Sequence, residues 1–109
     1  MGIETINAML IDGAWLDSSK SSFNFQKEGD ALFFGQHFND LQETKYGSLK
    51  FLNEKEAVIQ FKNEQEIKLH LEIATTMREI HFWNTKENFG LLLQKKYEFQ
   101  QTKLQGEEA

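Results

Sequence analysis

The chain has 109 residues, of which 39% are hydrophobic and 27% charged, and its formal net charge is -5. This length predicts one domain, residues 1–109, built on a single hydrophobic core. No stretch concentrates Lys or Arg, which argues against binding to nucleic acid or to an anionic membrane surface. The absence of cysteine excludes disulfides, thiol nucleophiles and zinc–thiolate sites.

The beginning of the chain predicts a compartment and one short helix. The first fifteen residues lack the basic and apolar regions of a signal peptide, so a cytoplasmic protein is expected, or a secreted or periplasmic one if a signal segment has been removed. No apolar run approaches membrane-spanning length. Ile3, Ile6 and Leu10 recur at helical spacing, and they predict a helix over residues 3–9.

After this helix the hydrophobic period changes to two, which is typical of half-buried strands. Short polar breaks separate the apolar runs, and breaks of this length favour antiparallel neighbours in chain order. Glu28-Gly29 can supply the positive φ that a tight hairpin requires. The eight predicted strands are Ile11–Leu16, Ser22–Lys27, Ala31–Phe38, Lys45–Phe51, Ala57–Lys62, Glu66–Ala74, Met77–Asn84 and Phe89–Tyr97.

The predicted fold class is all-β: an eight-stranded antiparallel up-and-down meander that closes into a small barrel, with a short N-terminal helix at one end. Closure is favoured because an open meander leaves two exposed edges. The polar segment 100–109 is expected to be a flexible tail.

Gly13-Ala14-Trp15 places a Gly-x-Trp motif at the start of the first strand, directly after the helix. This arrangement, followed by seven more strands, resembles small bacterial lipocalin-like domains of the calycin superfamily. The resemblance implies that Trp15 packs across the closed end of the barrel, and that a basic residue from late in the chain stacks on it. Lys95 and Lys96 are the candidates. A core aromatic beside a glycine that permits close strand approach is the alternative role for Trp15.

Two histidines offer an alternative site on the outer face. If Thr75-Thr76 forms a two-residue turn, His70 and His81 lie opposite each other on paired strands, close enough to share a metal ion with a neighbouring carboxylate. A simple polar outer face is the competing interpretation, and no metal site or cofactor is predicted. Catalytic motifs such as a phosphate-binding glycine loop, Gly-x-Ser-x-Gly or His-Glu-x-x-His do not occur in the sequence. The protein is not expected to be an enzyme.

The alternating apolar residues define the predicted interior. An eight-stranded barrel is just wide enough to be filled by its own side chains or to hold one small ligand. The resemblance to lipocalins implies a binding module for an apolar small molecule. Its predicted ligand-binding residues are Trp15, Phe25, Phe34, Phe61, Leu71 and Phe82.

The alternative function is a non-catalytic protein-interaction domain. Its barrel would be filled, and it would bind a protein partner or a second copy of itself through its acidic surface or an exposed edge. Apolar residues on the outer face would favour this function, because contiguous exposed apolar patches mark contact surfaces. The alternation predicts four such residues: Phe33, Phe51, Trp83 and Leu92.

Overall fold

A computed structural model describes residues 2–96. The tail predicted at 100–109 and the last residue of the predicted eighth strand lie outside these residues. The described part contains one helix and eight strands. The elements are α1 (Ile3–Ile11), β1 (Ala14–Leu16), β2 (Ser22–Glu28), β3 (Ala31–Phe38), β4 (Glu43–Asn53), β5 (Glu56–Phe61), β6 (Ile67–Ile73), β7 (Glu79–Asn84) and β8 (Phe89–Lys95).

The strands pair in chain order, each antiparallel to the next, and β8 returns to pair with β1. The predicted fold class, an eight-stranded antiparallel meander closed into a barrel with a short N-terminal helix, is confirmed. Because every strand pairs with its sequence neighbours, short hairpin turns are sufficient to connect them.

The boundary between α1 and β1 differs from the prediction. The helix continues to Ile11, and the main-chain N–H of Asp12 still donates to the carbonyl of Ala8 at 3.1 Å. Gly13 then adopts φ +93°, a conformation that ends the helix and that residues with a side chain rarely adopt. The first strand is therefore only three residues long, not six as predicted.

The hairpin turns follow local residue chemistry. Gly29 has φ +64° in a two-residue turn closed by the Glu28–Ala31 pair, which confirms the predicted role of this glycine. In the next two-residue turn, the side-chain oxygen of Asn53 accepts a hydrogen bond from the N–H of Lys55 at 2.8 Å. Such Asx turns are a common reason for asparagine at the end of a strand.

The predicted turn between β6 and β7 is wrong. Thr75 and Thr76 do not form a two-residue turn, because β-branched residues are poorly suited to the positive φ angles that such a turn requires. The loop instead spans residues 75–78, closed by a hydrogen bond from the N–H of Ala74 to the carbonyl of Glu79, and Met77 takes the positive φ. As a result His81 pairs with Glu72, and His70 with Trp83.

The predicted faces of the strands are largely correct. The interior is lined by alternating apolar residues from every strand, and α1 contributes Ile6, Met9 and Leu10 to the same core. Four residues predicted to face inward, Phe38, Ile67, Ile73 and Leu91, are half-buried near the ends of their strands.

The prediction that Phe51 faces outward is wrong. This side chain is 5% exposed and its ring centroid lies 6.2 Å from that of Phe82. The reason is register: Leu49 pairs with the inward-facing Leu32, so Gly47 and Phe51, each two residues from Leu49, face the core as well.

The helix α1 lies at one end of the barrel, and only turns form the other end in the described residues. The closed end, where α1 lies, is formed by the turns at 29–30, 54–55 and 75–78; the open end is formed by the turns at 17–21, 39–42, 62–66 and 85–88. Inward-facing Leu32, Ile80 and Leu93 near the closed end are 0% exposed. Ile67 and Phe89 at the open end are half-buried. Ile73 near the closed end is half-buried as well, and a hollow of about 490 Å³ there reaches Ile6 and Leu71. What distinguishes the two ends in the described residues is the helix, which lies only at the closed end.

Exchanging the faces of β6 should be far more costly than changing its outer surface. We expect Leu71→Lys to abolish or nearly abolish folding, because it buries an ammonium group opposite Phe82. By contrast, His70→Lys on the exposed face should change the free energy of unfolding by about 0.5 kcal/mol or less. Urea midpoints of the two variants measure this difference, and similar losses from both would contradict the strand assignment.

Gly47 should not tolerate a side chain. A Cβ atom built on it would lie 2.6 Å from Cζ of Phe34 and 2.8 Å from the carbonyl oxygen of Gln60. We expect Gly47→Ala to lower the free energy of unfolding by about 1–3 kcal/mol, as overpacking does. Gly90→Ala is the control, since nothing lies within 4 Å of the position of its Cβ. Equal effects on thermal unfolding would show that Phe34 does not pack over Gly47.

Candidate functional site

The six predicted ligand-binding residues all face the interior, but they do not form one continuous wall. The rings of Phe25, Phe34 and Phe61 are in contact, with centroids of Phe34 at 5.8 Å from Phe25 and 5.5 Å from Phe61. Phe82 instead contacts Phe51. Trp15, Phe34 and Phe82 are at most 2% exposed, whereas Phe61 is 9% exposed. Among the six, a molecule arriving at the open end would therefore meet Phe61 first.

At the closed end, Trp15 connects α1 with the last strand. Its indole N–H donates to the carbonyl of Leu10, the penultimate residue of α1, at 3.1 Å, so the buried nitrogen has a partner. From the opposite side, Nζ of Lys95 lies 5.6 Å from the centroid of the indole ring. This is the range of a cation–π interaction. Of the two basic residues predicted to stack on Trp15, the structure places Lys95 there.

Gly13 has a packing role in addition to its positive φ. A Cβ atom at this position would lie 3.2 Å from Cε of Lys95. The Lys95 ammonium also donates to the main-chain carbonyl of Asp12 and lies 3.2 Å from one carboxylate oxygen of Asp12. The Gly-x-Trp motif thus leaves room for the lysine and supplies the ring on which it rests.

At the open end, the ammonium group of Lys45 lies against an apolar ring. Nζ of Lys45 lies 4.6 Å from the ring centroid of Phe61 and 3.4 Å from a carboxylate oxygen of Glu64. Both Lys45 and Glu64 are about half exposed, so this ion pair is weak and easily displaced. Three half-buried side chains pack against the core nearby: Ile67, Phe89 and Leu91.

Two surface hollows adjoin this end. One, of about 520 Å³, is lined by Phe38, Leu41, Glu43, Thr44 and Lys45. The other, of about 400 Å³, runs along the outside of β4 and β5 to Phe61; its lining also includes Phe33, Tyr46, Gln60 and Lys62. Both volumes fall within the range of small-molecule sites.

A polar cluster that sequence patterns did not predict lies at the rim of the open end. Gln36 is only 8% exposed, and its amide donates to the hydroxyl of Ser21 at 2.8 Å and toward the carboxylate of Asp17. The same carboxylate accepts from the main-chain N–H groups of Ser19 and Ser21. The sequence signal that could have indicated this cluster is Gln36, which occupies an inward position in the run Leu32-Phe33-Phe34-Gly35-Gln36. A buried amide needs hydrogen-bond partners.

The outer wall of β6 and β7 carries an aromatic group. The Trp83 ring lies between the two imidazoles, at 5.8 Å from His70 and 5.0 Å from His81. The predicted opposition of His70 and His81 is wrong, and within residues 2–96 no three His, Asp or Glu side chains are arranged to hold a metal ion.

Glu56, paired with His70 across the strands, has a shifted pKa. The hydrogen bond from the Asn53 amide, followed by the hydrogen bond and charge of Lys68, holds the pKa of Glu56 below its ordinary value. Because the shift favours the charged form, its stabilising effect is present above the unfolded-state pKa and is lost as the pH falls through the lowered one. The Glu56 side chain is partly exposed to solvent, so the effect is small.

The two tryptophans provide a test of the closed end. We expect Trp15→Ala to lower the free energy of unfolding by about 3–5 kcal/mol, the range for emptying a buried large aromatic. Trp83→Ala is the matched control on the half-buried outer wall, with an expected loss of about 1 kcal/mol or less. Thermal or urea unfolding of both variants measures this; a Trp15→Ala midpoint close to that of Trp83→Ala would contradict the role of Trp15.

Comparisons with known proteins add no relative. No family model matches the chain, and neither the curated proteins nor the solved structures include one that matches it. In the described part of the chain, no helix has the length and apolar character needed to cross a membrane.

Proposed function

We propose that this domain is a lipocalin-like, non-catalytic binding module that takes up a small apolar molecule at the open end of its barrel. The observation that carries the proposal is the unequal cover of the two ends. The closed end holds fully buried side chains beneath α1, whereas the open end presents Phe61, Ile67 and Phe89 around the Lys45 side chain.

The lipocalin-like assignment is supported by the arrangement at Trp15. A Gly-x-Trp motif follows the N-terminal helix, and a basic residue from the last strand rests on the indole, as the resemblance implies. The antiparallel meander closed into a barrel is compatible with this group.

Packing favours a ligand at the entrance over one at the centre. The rings of Phe23, Phe25 and Phe34 lie with centroids 5.4–6.0 Å apart and occupy the middle of the barrel. Displacing them would cost the contacts that stabilise the fold. At the entrance, a ligand needs only to displace the exposed Lys45–Glu64 ion pair to reach Phe61. Of the six interior residues named from the sequence, Phe25, Phe34 and Phe61 then form the base of the site, with Phe61 uppermost.

A dye titration tests the proposal. An apolar dye whose own fluorescence rises in an apolar environment, or a medium-chain fatty acid that competes with it, should bind saturably. We expect Ile67→Thr to weaken dye affinity several-fold, because it removes apolar surface at the entrance. Ile73→Thr is the matched control: it lies on the same strand and is also half-buried, but near the closed end.

The outcomes separate the alternatives. Tryptophan emission is unsuitable as the readout, because Trp15 lies at the closed end and Trp83 on the outer wall. Equal weakening by the two variants would place the dye elsewhere than the entrance. No saturable dye binding by the parent protein would overturn the proposal and favour a domain that functions only through protein contacts.

A further inference from the structure

The barrel wall is incomplete between β1 and β8. The two strands are joined only along Ala14–Leu16: Trp15 pairs with Lys95 and Leu16 with Gln94, and the N–H of Lys96 donates to the carbonyl of Ala14. After Leu16 the chain turns back onto β2, with the N–H of Asp17 donating to the carbonyl of Ser21 at 3.1 Å. In the part of the chain that the structure describes, the stretch Phe89–Leu93 of β8 therefore has no strand beside it on this side.

The direction of the main-chain groups follows from two hydrogen bonds. The N–H of Lys96 donates to Ala14 of β1, and the N–H of Lys95 donates to Arg78 on the β7 side. Because N–H and C=O groups alternate along a strand, Gly90 and Leu92 direct theirs toward β1, past the point where β1 has ended. An unpaired edge of this kind is a template for pairing with another strand.

This edge lacks the usual protection. Natural edge strands carry charged residues, proline or bulges that prevent pairing, but the sequence here is Phe-Gly-Leu-Leu-Leu. Gly90 is exposed and has free space around its Cα, while Phe89, Leu91 and Leu92 are half-buried. In a chain with 27% charged residues, five consecutive uncharged ones at an open edge form a distinct surface.

We propose that this edge pairs with the same edge of a second copy of the chain, antiparallel about a two-fold axis at Leu91. The axis sets Gly90 of each copy opposite Leu92 of the other, and each such pair exchanges two main-chain hydrogen bonds. The free stretches match in length because they are the same stretch, and β1 of each copy limits the pairing at its end.

Charge favours a second copy as the occupant. Two chains with a net charge of -5 repel each other, so a contact between them requires a surface where that charge is absent or complementary. The edge itself is uncharged. The two-fold axis also sets Glu87 of one copy opposite Lys95 of the other and Lys86 opposite Lys96, so one attractive and one repulsive pair offset each other at each end of the contact. The contact is small, so a weak, concentration-dependent dimer is expected.

Sedimentation and hydrogen exchange of the whole chain, from dilute protein to about 1 mM, test the proposal. The apparent mass should rise toward that of a dimer, and the amide protons of Gly90 and Leu92 should exchange more slowly as the concentration rises. A monomer over the whole range would overturn the proposal, as would a dimer in which these two amides exchange at a rate independent of concentration. The latter would indicate another interface.

Matched variants locate the contact. Leu92→Lys places a charge in the middle of the free edge and should keep the chain monomeric. Gln94→Lys, on the same face of β8 but beside Leu16 of β1, should dimerise like the parent. Thermal unfolding checks that both variants fold. Glu87→Lys should weaken the dimer several-fold, and adding Lys96→Glu should restore it. Equal dimerisation by the Leu92 and Gln94 variants, or no restoration by the double charge reversal, would contradict the two-fold pairing.

Discussion

Closure of this barrel depends on one side chain, Trp15. Strand β1 is only three residues long, and two paired positions and the hydrogen bond from Lys96 to Ala14 join it to β8, so its main-chain hydrogen bonds alone hold the two ends of the sheet together weakly. The indole adds the missing connections: its N–H binds the end of α1, its ring carries the ammonium of Lys95 from β8, and its body is fully buried in the core. Helix, first strand and last strand thus meet on one residue.

The shortness of β1 explains two further features. It begins only after the positive φ of Gly13 and ends where Asp17 turns the chain back onto β2, so the wall is complete at the closed end and incomplete toward the open end. The apolar residues near the open end are accordingly less covered, which favours an entrance there. Within residues 2–96, the same incompleteness leaves Gly90 and Leu92 of β8 without a partner strand on the β1 side. The proposed entrance for a ligand and the proposed edge for a second copy therefore have one structural cause.

Much of the fold could be predicted from the sequence, because a period of two assigns each residue of a strand to a face. That reasoning held for Leu69, Leu71 and Phe82 even though the β6–β7 turn was wrong, since a register error of two residues preserves the faces while changing the partners. Cross-strand partners depend on turn geometry, so the opposition of His70 and His81 could not be obtained from spacing alone. Phe51 was assigned to the wrong face because both faces of β4 carry large apolar residues, and only its pairing with β3 and β5 decides between them.

The contact of Lys95 with Trp15 joins residues 80 apart in the chain; the resemblance to lipocalins indicated it, but local patterns did not. The proposed function also depends on more than local patterns. Interior rings can be counted from the sequence, but which end of the barrel remains open depends on where α1 and β1 stop.

In the proposed function, the two ends of the barrel differ, so that an apolar molecule reaches the entrance at Phe61 and not the buried residues around Trp15. Intermolecular nuclear Overhauser effects between the protein and a saturating apolar ligand test this claim most directly. We predict contacts from the ligand to the ring of Phe61 and the methyl groups of Ile67, with none to the indole of Trp15. Contacts to Trp15 in place of Phe61 and Ile67 would contradict the account, because they would require the closed end to admit the ligand.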